Sequence, residues 1–164
     1  MNPRRRCRPL SKRSYGLPET KYEQVRKRLP PRSRIALDIM VETGLRISDV
    51  LLIRSKELRS TMHIKEKKNG FEHDIHLSQR TLRAARRYAR KHECEYLIPW
   101  SRTTIWRDIR KACDRAGLPR VSPHGCRKLY ARRLYAKGYG ITEVQKILGH
   151  KSPNATMFYL FDVE

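Results

Sequence analysis

Apolar residues recur at helical spacing along most of the chain, in blocks that turn-forming residues separate. One apolar stripe runs through Ile35, Ala36, Ile39 and Met40 and stops at Gly44, a residue well suited to end a helix. Similar stripes, interrupted by proline and glycine, predict a series of helices. Their approximate ranges are 18–28, 33–44 (with Ser33 as the N-cap), 47–53, 79–91 (with Ser78 as the N-cap), 103–117, 124–138, 142–148 and 153–159.

The period of the pattern changes between residues 61 and 77. The segments 61–66 and 71–77 alternate loosely between apolar and polar residues, and the sequence Lys-Lys-Asn-Gly at 67–70 separates them. Asn-Gly between two strand-like segments favours a hairpin, because both residues accept positive φ angles. The chain is therefore predicted to be mainly α-helical, with one small antiparallel β-hairpin.

Length and composition narrow the class of protein. The 164 residues and an apolar fraction of 38% suit one domain, or one domain with an appendage. No apolar stretch approaches the roughly 18 residues of a membrane span, and no secretory signal follows the basic N-terminus. The four cysteines are Cys7, Cys94, Cys113 and Cys126. They form no CxxC pair, which argues against a zinc ribbon or a disulfide framework. We expect a cytoplasmic protein.

The net charge of +22, from 38 basic and 16 acidic residues, indicates a nucleic-acid partner. Residues 1–16 are predicted to form a basic arm, which is either a disordered solubilising tail or a segment that lies on DNA. Two basic helices, 79–91 and 103–116, are candidates for reaching a DNA groove. The candidate DNA contacts are Arg4, Arg5 and Arg6 in the arm, and Arg83, Arg87, Arg107, Arg110 and Lys111 on the helices.

Two segments place arginine where it can meet a phosphate. Arg46 lies between a helix end and a helix start, and Asp49 follows three residues later, so that the pair is either a surface ion pair or a guanidinium held towards a ligand. His124 and Arg127 share one helix face, where they are either solvated or directed at the same phosphate.

Two more segments have ordinary structural explanations when taken alone. His150 follows a helix-ending Leu-Gly pair and suits a capping or packing role. Tyr159 stands among Met157, Phe158 and Phe161, a setting more typical of a core residue than of a nucleophile.

Taken together, these segments form a pattern that each one alone does not show. The order of an arginine, a hairpin lysine, His-x-x-Arg, Gly-His and a tyrosine resembles that of the tyrosine recombinases. The resemblance extends over residues 17–159 and rests on TGLRISDVL (43–51), HGCRKLYARRL (124–134) and LGHKSPNATMFYL (148–160). It implies the mainly α, α+β fold of a tyrosine recombinase catalytic domain over residues 17–164. No separate core-binding domain is expected within this chain, which is either a fragment or a minimal recombinase.

The resemblance also implies roles for individual residues. Tyr159 attacks a backbone phosphorus and forms a covalent link to the 3′ phosphate. Arg46 and Arg127 bind the non-bridging oxygens, His124 assists proton transfer at the nucleophile, and His150 donates a hydrogen bond to the phosphate.

A hairpin lysine completes this set as the general acid for the leaving 5′ oxygen. Lys68 is the preferred candidate, because the Lys-x-Gly sequence at the turn resembles integrase hairpins, and Lys67 and Lys65 are the alternatives. Asp49 is expected to support Arg46. No metal and no cofactor are expected, since two guanidinium groups supply the positive charge and a tyrosyl phosphodiester conserves the bond energy.

These roles predict a site-specific DNA recombinase or integrase of a virus, plasmid or other mobile element. Its partner is double-stranded DNA, on which it forms a dimer or tetramer, while the free protein is monomeric. It acts in the cytoplasm or nucleoid of the host cell. The alternatives are a type IB topoisomerase-like enzyme that relaxes DNA, and a basic DNA-binding protein without enzymatic activity.

Overall fold

The computed structural model describes residues 15–118 and 121–161, and it confirms a mainly helical domain with one antiparallel hairpin. None of the helices in these ranges is long and apolar enough to cross a membrane. The elements are α1 (Glu19–Lys27), α2 (Pro31–Thr43), α3 (Ile47–Val50), β1 (Thr61–Lys65), β2 (Glu72–His76), α4 (Gln79–His92), α5 (Arg102–Arg115), α6 (Pro123–Ala136), α7 (Ile141–Ile147) and α8 (Pro153–Leu160).

Helix α2 is the centre of the fold and packs against α1, α4, α5 and α6. Every residue from Ile35 to Val41 is buried, as expected of a helix enclosed on all sides. Gly44 ends the helix at φ 72°, in the left-handed region. This ending turns the chain directly into the segment that carries Arg46.

Ser33 is not the N-cap of α2, contrary to the sequence-based expectation. Pro30 takes that position and Pro31 is the first helical residue, where the missing N–H costs no hydrogen bond. The Ser33 hydroxyl is buried within the helix and donates to Asp108 Oδ2 of α5 at 2.7 Å.

The hairpin confirms the predicted pairing, with Thr61 opposite His76 and Lys65 opposite Glu72. Its turn differs from the expected one, because Gly70 has a positive φ of 65° and Asn69 does not. The Gly70 N–H donates to the Glu66 carbonyl at 2.9 Å, and the Glu66 N–H donates to the Phe71 carbonyl at 2.8 Å. A four-residue loop therefore replaces a tight Asn-Gly turn, and this loop carries Lys68.

The N-terminal segment enters the fold earlier than expected. Tyr15 pairs with Val121 in a parallel bridge, and the Leu17 N–H donates to the Gly125 carbonyl at 3.0 Å. Residues 15 and 16 therefore belong to the domain rather than to the predicted arm. The rest of the arm, residues 1–14 with Arg4, Arg5 and Arg6, lies outside the described residues.

Two hydrophobic clusters stabilise the domain. The larger one joins α1 to α6 with the hairpin. The smaller one lies between α6, α7 and α8, and its buried members are Ala131, Leu134, Val144, Leu148, Tyr159 and Leu160. The predicted nucleophile thus packs in the smaller cluster.

Replacing Gly125 by alanine is expected to destabilise the domain by about 1–3 kcal/mol, the usual cost of overpacking. A Cβ atom at this position would lie 2.2 Å from the Tyr15 carbonyl oxygen. Urea unfolding monitored by circular dichroism measures the change. Gly140→Ala is the matched control, because its Cβ would meet its nearest atom, Glu143 Oε2, at 3.5 Å. Equal unfolding midpoints for the two variants would contradict the predicted clash.

Candidate active site

A cavity of about 500 Å³ opens where the end of α2, the hairpin loop and the first turns of α5 and α6 meet. Four predicted catalytic side chains line it together with residues of α5. The charged and aromatic lining residues are Arg46, Lys68, Arg102, Trp106, His124 and Arg127. The cavity is therefore strongly cationic.

Tyr159 meets His124 at this site. The Tyr159 hydroxyl lies 2.8 Å from His124 Nε2, and the two rings pack edge to face. His150 packs against the same tyrosine, with ring centroids 4.5 Å apart, and its Nδ1 lies 2.9 Å from the Thr156 hydroxyl on α8. Tyr159 thus contacts both His124, 35 residues earlier in the chain, and His150.

The pKa shifts of His124 and Tyr159 leave both side chains uncharged at neutral pH. Burial lowers the pKa of His124 to about 4, and the charges of Lys128 and Arg127 add to the effect. Burial also raises the pKa of Tyr159, although Arg127 and Arg46 oppose that rise. At neutral pH, His124 is therefore neutral and can accept a hydrogen bond from the Tyr159 hydroxyl, while both pKa shifts oppose full transfer of the proton.

The two predicted arginines converge from different elements. Arg46 is the N-cap residue of α3, and its guanidinium forms an ion pair with Glu66. The Arg127 side chain is only 2% exposed, and its Nη2 donates to the Leu148 carbonyl at 2.5 Å. Burial and the nearby charge of Arg46 lower the pKa of Arg127.

Arg127 keeps donors without an acceptor. Its Nε and Nη1 atoms are buried and make no hydrogen bond. Unsatisfied donors of this kind are costly unless a ligand supplies an acceptor. An oxyanion, such as a phosphate oxygen, fits this requirement.

The structure favours Lys68 among the three lysines near the hairpin loop. Lys68 lines the cavity, whereas the Lys65 ammonium forms an ion pair with Glu72 at 2.8 Å. Lys67 contributes its backbone N–H, which donates to Asp49 Oδ1 at 2.8 Å.

Asp49 therefore fixes the loop that carries Lys68 and does not pair with Arg46. The expected support of Arg46 by Asp49 is replaced by the ion pair with Glu66. The physical reason is that the hairpin folds back over α3, which brings Glu66 to Arg46 and the Lys67 amide to Asp49.

The basic residues of α4 and α5 that are predicted to contact DNA do not line this cavity. Arg83, Arg87, Arg107 and Lys111 are exposed on α4 and α5. Arg110 has a structural partner, since it donates to the Val121 carbonyl at 3.0 Å. Contact of these residues with DNA stays a prediction, as does cleavage without a metal ion.

Three residues at the site were not identified from the sequence. Arg102 and Trp106 line the cavity from the first turn and a half of α5, and Glu66 is buried between the two arginines. The only signal for Glu66 is that it is the single acidic residue in the lysine-rich segment 65–70. Arg102 and Trp106 have no distinguishing sequence signal.

The free energy of unfolding is expected to decrease as the pH falls from 6.5 to 4, and replacing His124 by glutamine is expected to make this decrease smaller. The folded-state pKa of about 4 lies below the unfolded value near 6.5, so the unfolded state binds the extra proton in this window. The stabilising effect of neutral His124 is thus complete above pH 6.5 and declines as the pH falls towards 4. Urea midpoints at pH 7.5 and 4.5 measure it.

His63→Gln provides a control of opposite sign. The hydrogen bond between His63 and Asp74 raises the pKa of His63. The glutamine variant therefore loses an interaction that stabilises the folded state at low pH. A drop in midpoint that is the same in wild type and His124→Gln would contradict the lowered pKa of His124.

Comparison with known proteins identifies relatives of this chain. The family model described as the phage integrase family matches residues 18–162. The chain is 30% identical over 130 residues to the probable integrase/recombinase YoeC of Bacillus subtilis, covering 73% of the chain and 72% of that protein. It is 26% identical over 142 residues to tyrosine recombinase XerA of Pyrococcus furiosus, covering 78% of the chain and 49% of XerA. The chain thus spans about half the length of XerA.

Solved structures show the same fold. The crystal structure of XerA recombinase matches 91% of this chain with a TM-score of 0.76 and 20% identity, over 61% of its own chain. A lambda integrase dimer bound to a core site matches 94% of this chain with a TM-score of 0.75 and 24% identity, over 62% of its own chain. The cationic cavity, the tyrosine–histidine contact and these matches lead to one conclusion: the chain belongs to the phage integrase family and has the fold of a tyrosine recombinase catalytic domain.

Proposed function

We propose that this chain is the catalytic part of a site-specific DNA recombinase that cleaves and rejoins strands through a covalent 3′-phosphotyrosine intermediate. The observation that carries the proposal is the 2.8 Å contact between the Tyr159 hydroxyl and His124 Nε2, beside two arginines. A nucleophile, a proton acceptor and cationic groups in one cleft are what phosphoryl transfer requires.

The contacts at the site support the following first step. The Tyr159 oxygen attacks the phosphorus and gives its proton to His124 Nε2, while the bond from phosphorus to the 5′ oxygen breaks. Lys68 Nζ gives a proton to the leaving 5′ oxygen. The reverse step, with a 5′ hydroxyl as nucleophile, restores the phosphodiester and frees Tyr159.

The remaining side chains stabilise charge. The Arg46 and Arg127 guanidinium groups donate to the non-bridging oxygens, where negative charge accumulates. His150 has one ring nitrogen at the Thr156 hydroxyl, which leaves the other nitrogen for the phosphate. A tyrosyl phosphodiester keeps the energy of the DNA linkage, so the scheme uses no cofactor.

The proposed partner is double-stranded DNA, on which copies of the chain assemble as dimers or tetramers. The exposed arginines of α4 and α5 support phosphate binding, and the DNA-bound lambda integrase dimer is a structural neighbour. We further propose that the recombination serves a virus, plasmid or other mobile element and takes place in the host cytoplasm or nucleoid. Similarity to a probable integrase/recombinase supports this assignment.

Capture of the covalent intermediate tests the proposal. The chain is incubated in EDTA with DNA fragments from the flanks of its own gene, and the adducts are denatured, purified and sequenced to map the cleavage site. A duplex of that site, nicked just downstream of cleavage, then traps the adduct. A 5′-end label is expected to remain on the protein, because the 3′ phosphate is the linked end.

Other outcomes separate the alternatives. A protein bound to DNA without any adduct supports a non-enzymatic DNA-binding protein. An adduct that relaxes supercoiled plasmid but never joins two sites supports a topoisomerase-like enzyme. Retention of the 3′-end label, with release of the 5′ label, overturns the proposed polarity.

A further inference from the structure

We propose that Glu66 is a positioning residue that holds the two phosphate-binding arginines in register with the hairpin loop that carries Lys68. The inference rests on the proposed function, since it concerns the efficiency of the same cleavage step. It assigns a role to a buried carboxylate that the proposed step itself does not use.

The Glu66 carboxylate lies between the two guanidinium groups. Its Oε2 pairs with Arg46 Nη1, and its Oε1 lies 3.6 Å from Arg127 Nη1. The Glu66 side chain is 1% exposed, so these charges interact with little screening by water. A buried carboxylate is tolerated only where cations compensate it, and here both catalytic arginines do so.

The backbone of Glu66 connects this pairing to the hairpin loop. Its N–H donates to the Phe71 carbonyl and its own carbonyl accepts from the Gly70 N–H, which closes the loop on both sides. Lys68 lies two residues further along, and the Lys67 N–H is held by Asp49 of α3. Movement of the loop therefore moves Glu66, and with it the arginines.

The pairing leaves the arginines able to bind phosphate. One nitrogen of Arg46 contacts Glu66, and its side chain is 23% exposed towards the cavity. The contact with Arg127 is too long for a hydrogen bond, so Arg127 Nη1 and Nε keep their donors for a phosphate oxygen. Glu66 thus reduces the repulsion between two adjacent cations without occupying the donors that the reaction needs.

A second polar group faces the same carboxylate. His73 Nε2 on β2 lies 3.9 Å from Glu66 Oε1, and burial lowers the pKa of His73. His73 is therefore largely neutral at neutral pH, and the compensation of Glu66 falls to the arginines.

The inference is tested by measuring single-turnover cleavage of the nicked cleavage-site duplex by the full chain. Glu66→Gln keeps the size of the side chain but removes its charge, and the cleavage rate at saturating DNA is expected to fall about 10- to 100-fold, as misplacement of catalytic groups does. The dissociation constant for DNA is expected to change less than about threefold, because the phosphate donors remain. Glu66→Asp, which keeps the charge, is expected to recover part of the rate.

Two comparisons separate positioning from a merely structural role. Glu72→Gln removes an exposed hairpin carboxylate outside the cavity and is expected to leave the rate unchanged. On DNA with a 5′-bridging sulfur, whose leaving group needs no general acid, the rate of Lys68→Ala is expected to recover. The defect of Glu66→Gln is expected to persist there, because it acts through the arginines.

Several results would overturn the inference while the proposed function stands. These are a wild-type rate in Glu66→Gln, a defect confined to DNA affinity, or full recovery on the sulfur substrate. Should Glu66→Gln fold poorly, the Glu66→Asp rate and its coupling to Arg46→Lys in a double-mutant cycle decide the question, with additive effects counting against it. A wild-type chain that forms no adduct instead refutes the proposed function.

Discussion

Replacing Tyr159 by phenylalanine is expected to abolish the covalent protein–DNA adduct, with a loss of at least about 10⁴-fold in its rate of formation. The change removes only the hydroxyl that contacts His124 Nε2 at 2.8 Å. The ring keeps its edge-to-face packing against His124 and His150. Denaturing gels of labelled DNA measure the adduct, and binding assays confirm that the variant still binds the duplex.

Tyr139→Phe is the matched control for this experiment. Tyr139 lies beyond the end of α6, is 40% exposed and does not line the cavity. Its variant is expected to form adduct at the wild-type rate. Adduct formation by Tyr159→Phe at a comparable rate would show that another residue is the nucleophile.

Replacing Arg127 by lysine is expected to reduce the cleavage rate about 10²- to 10³-fold, the usual effect of removing one oxyanion donor. Lysine keeps the charge but has one nitrogen in place of the guanidinium fork. In the arginine, Nη2 donates to the Leu148 carbonyl at 2.5 Å, while Nε and Nη1 remain for the phosphate. A single lysine nitrogen cannot occupy all of these positions. Single-turnover cleavage at saturating DNA measures the loss.

Arg133→Lys tests whether any arginine of α6 behaves in this way. Arg133 lies on the same helix, where it forms an ion pair with Glu19 at 2.6 Å, and it does not line the cavity. Its lysine variant is expected to cleave at the wild-type rate. Equal losses in both variants would mean that the effect is not specific to the Arg127 fork.

Helix positions follow from the sequence where one local rule acts alone. Ser78 begins α4 and Gly44 ends α2 as expected, because an N-cap hydroxyl and a left-handed glycine each act within a single turn. Ser33 and Asn69 were assigned incorrectly because a neighbouring residue satisfied the same requirement first. Pro31 opened the helix, and Gly70 supplied the positive φ.

The site shows a different limit. The order of motifs predicted that His124, Arg127 and Tyr159 come together, and the structure places the Tyr159 hydroxyl next to His124 and Arg127. The partner of Arg46 was assigned by sequence proximity to Asp49, yet a residue 20 positions away provides it. Pairing across a hairpin depends on how the loop folds over α3, which local spacing does not encode.

The separation of the core into two clusters has a consequence for motion. Tyr159 and Leu160 of α8 pack in the smaller cluster with α6 and α7, whereas α2 lies in the larger one. Fewer buried apolar contacts mean a lower free energy of local opening, so the backbone amides of α7 and α8 are expected to exchange with deuterium faster than those of α2. Tyr159 is 8% exposed and the Arg127 side chain is 2% exposed. Opening of this small cooperative unit would uncover both side chains for an incoming phosphate while the rest of the domain stays folded.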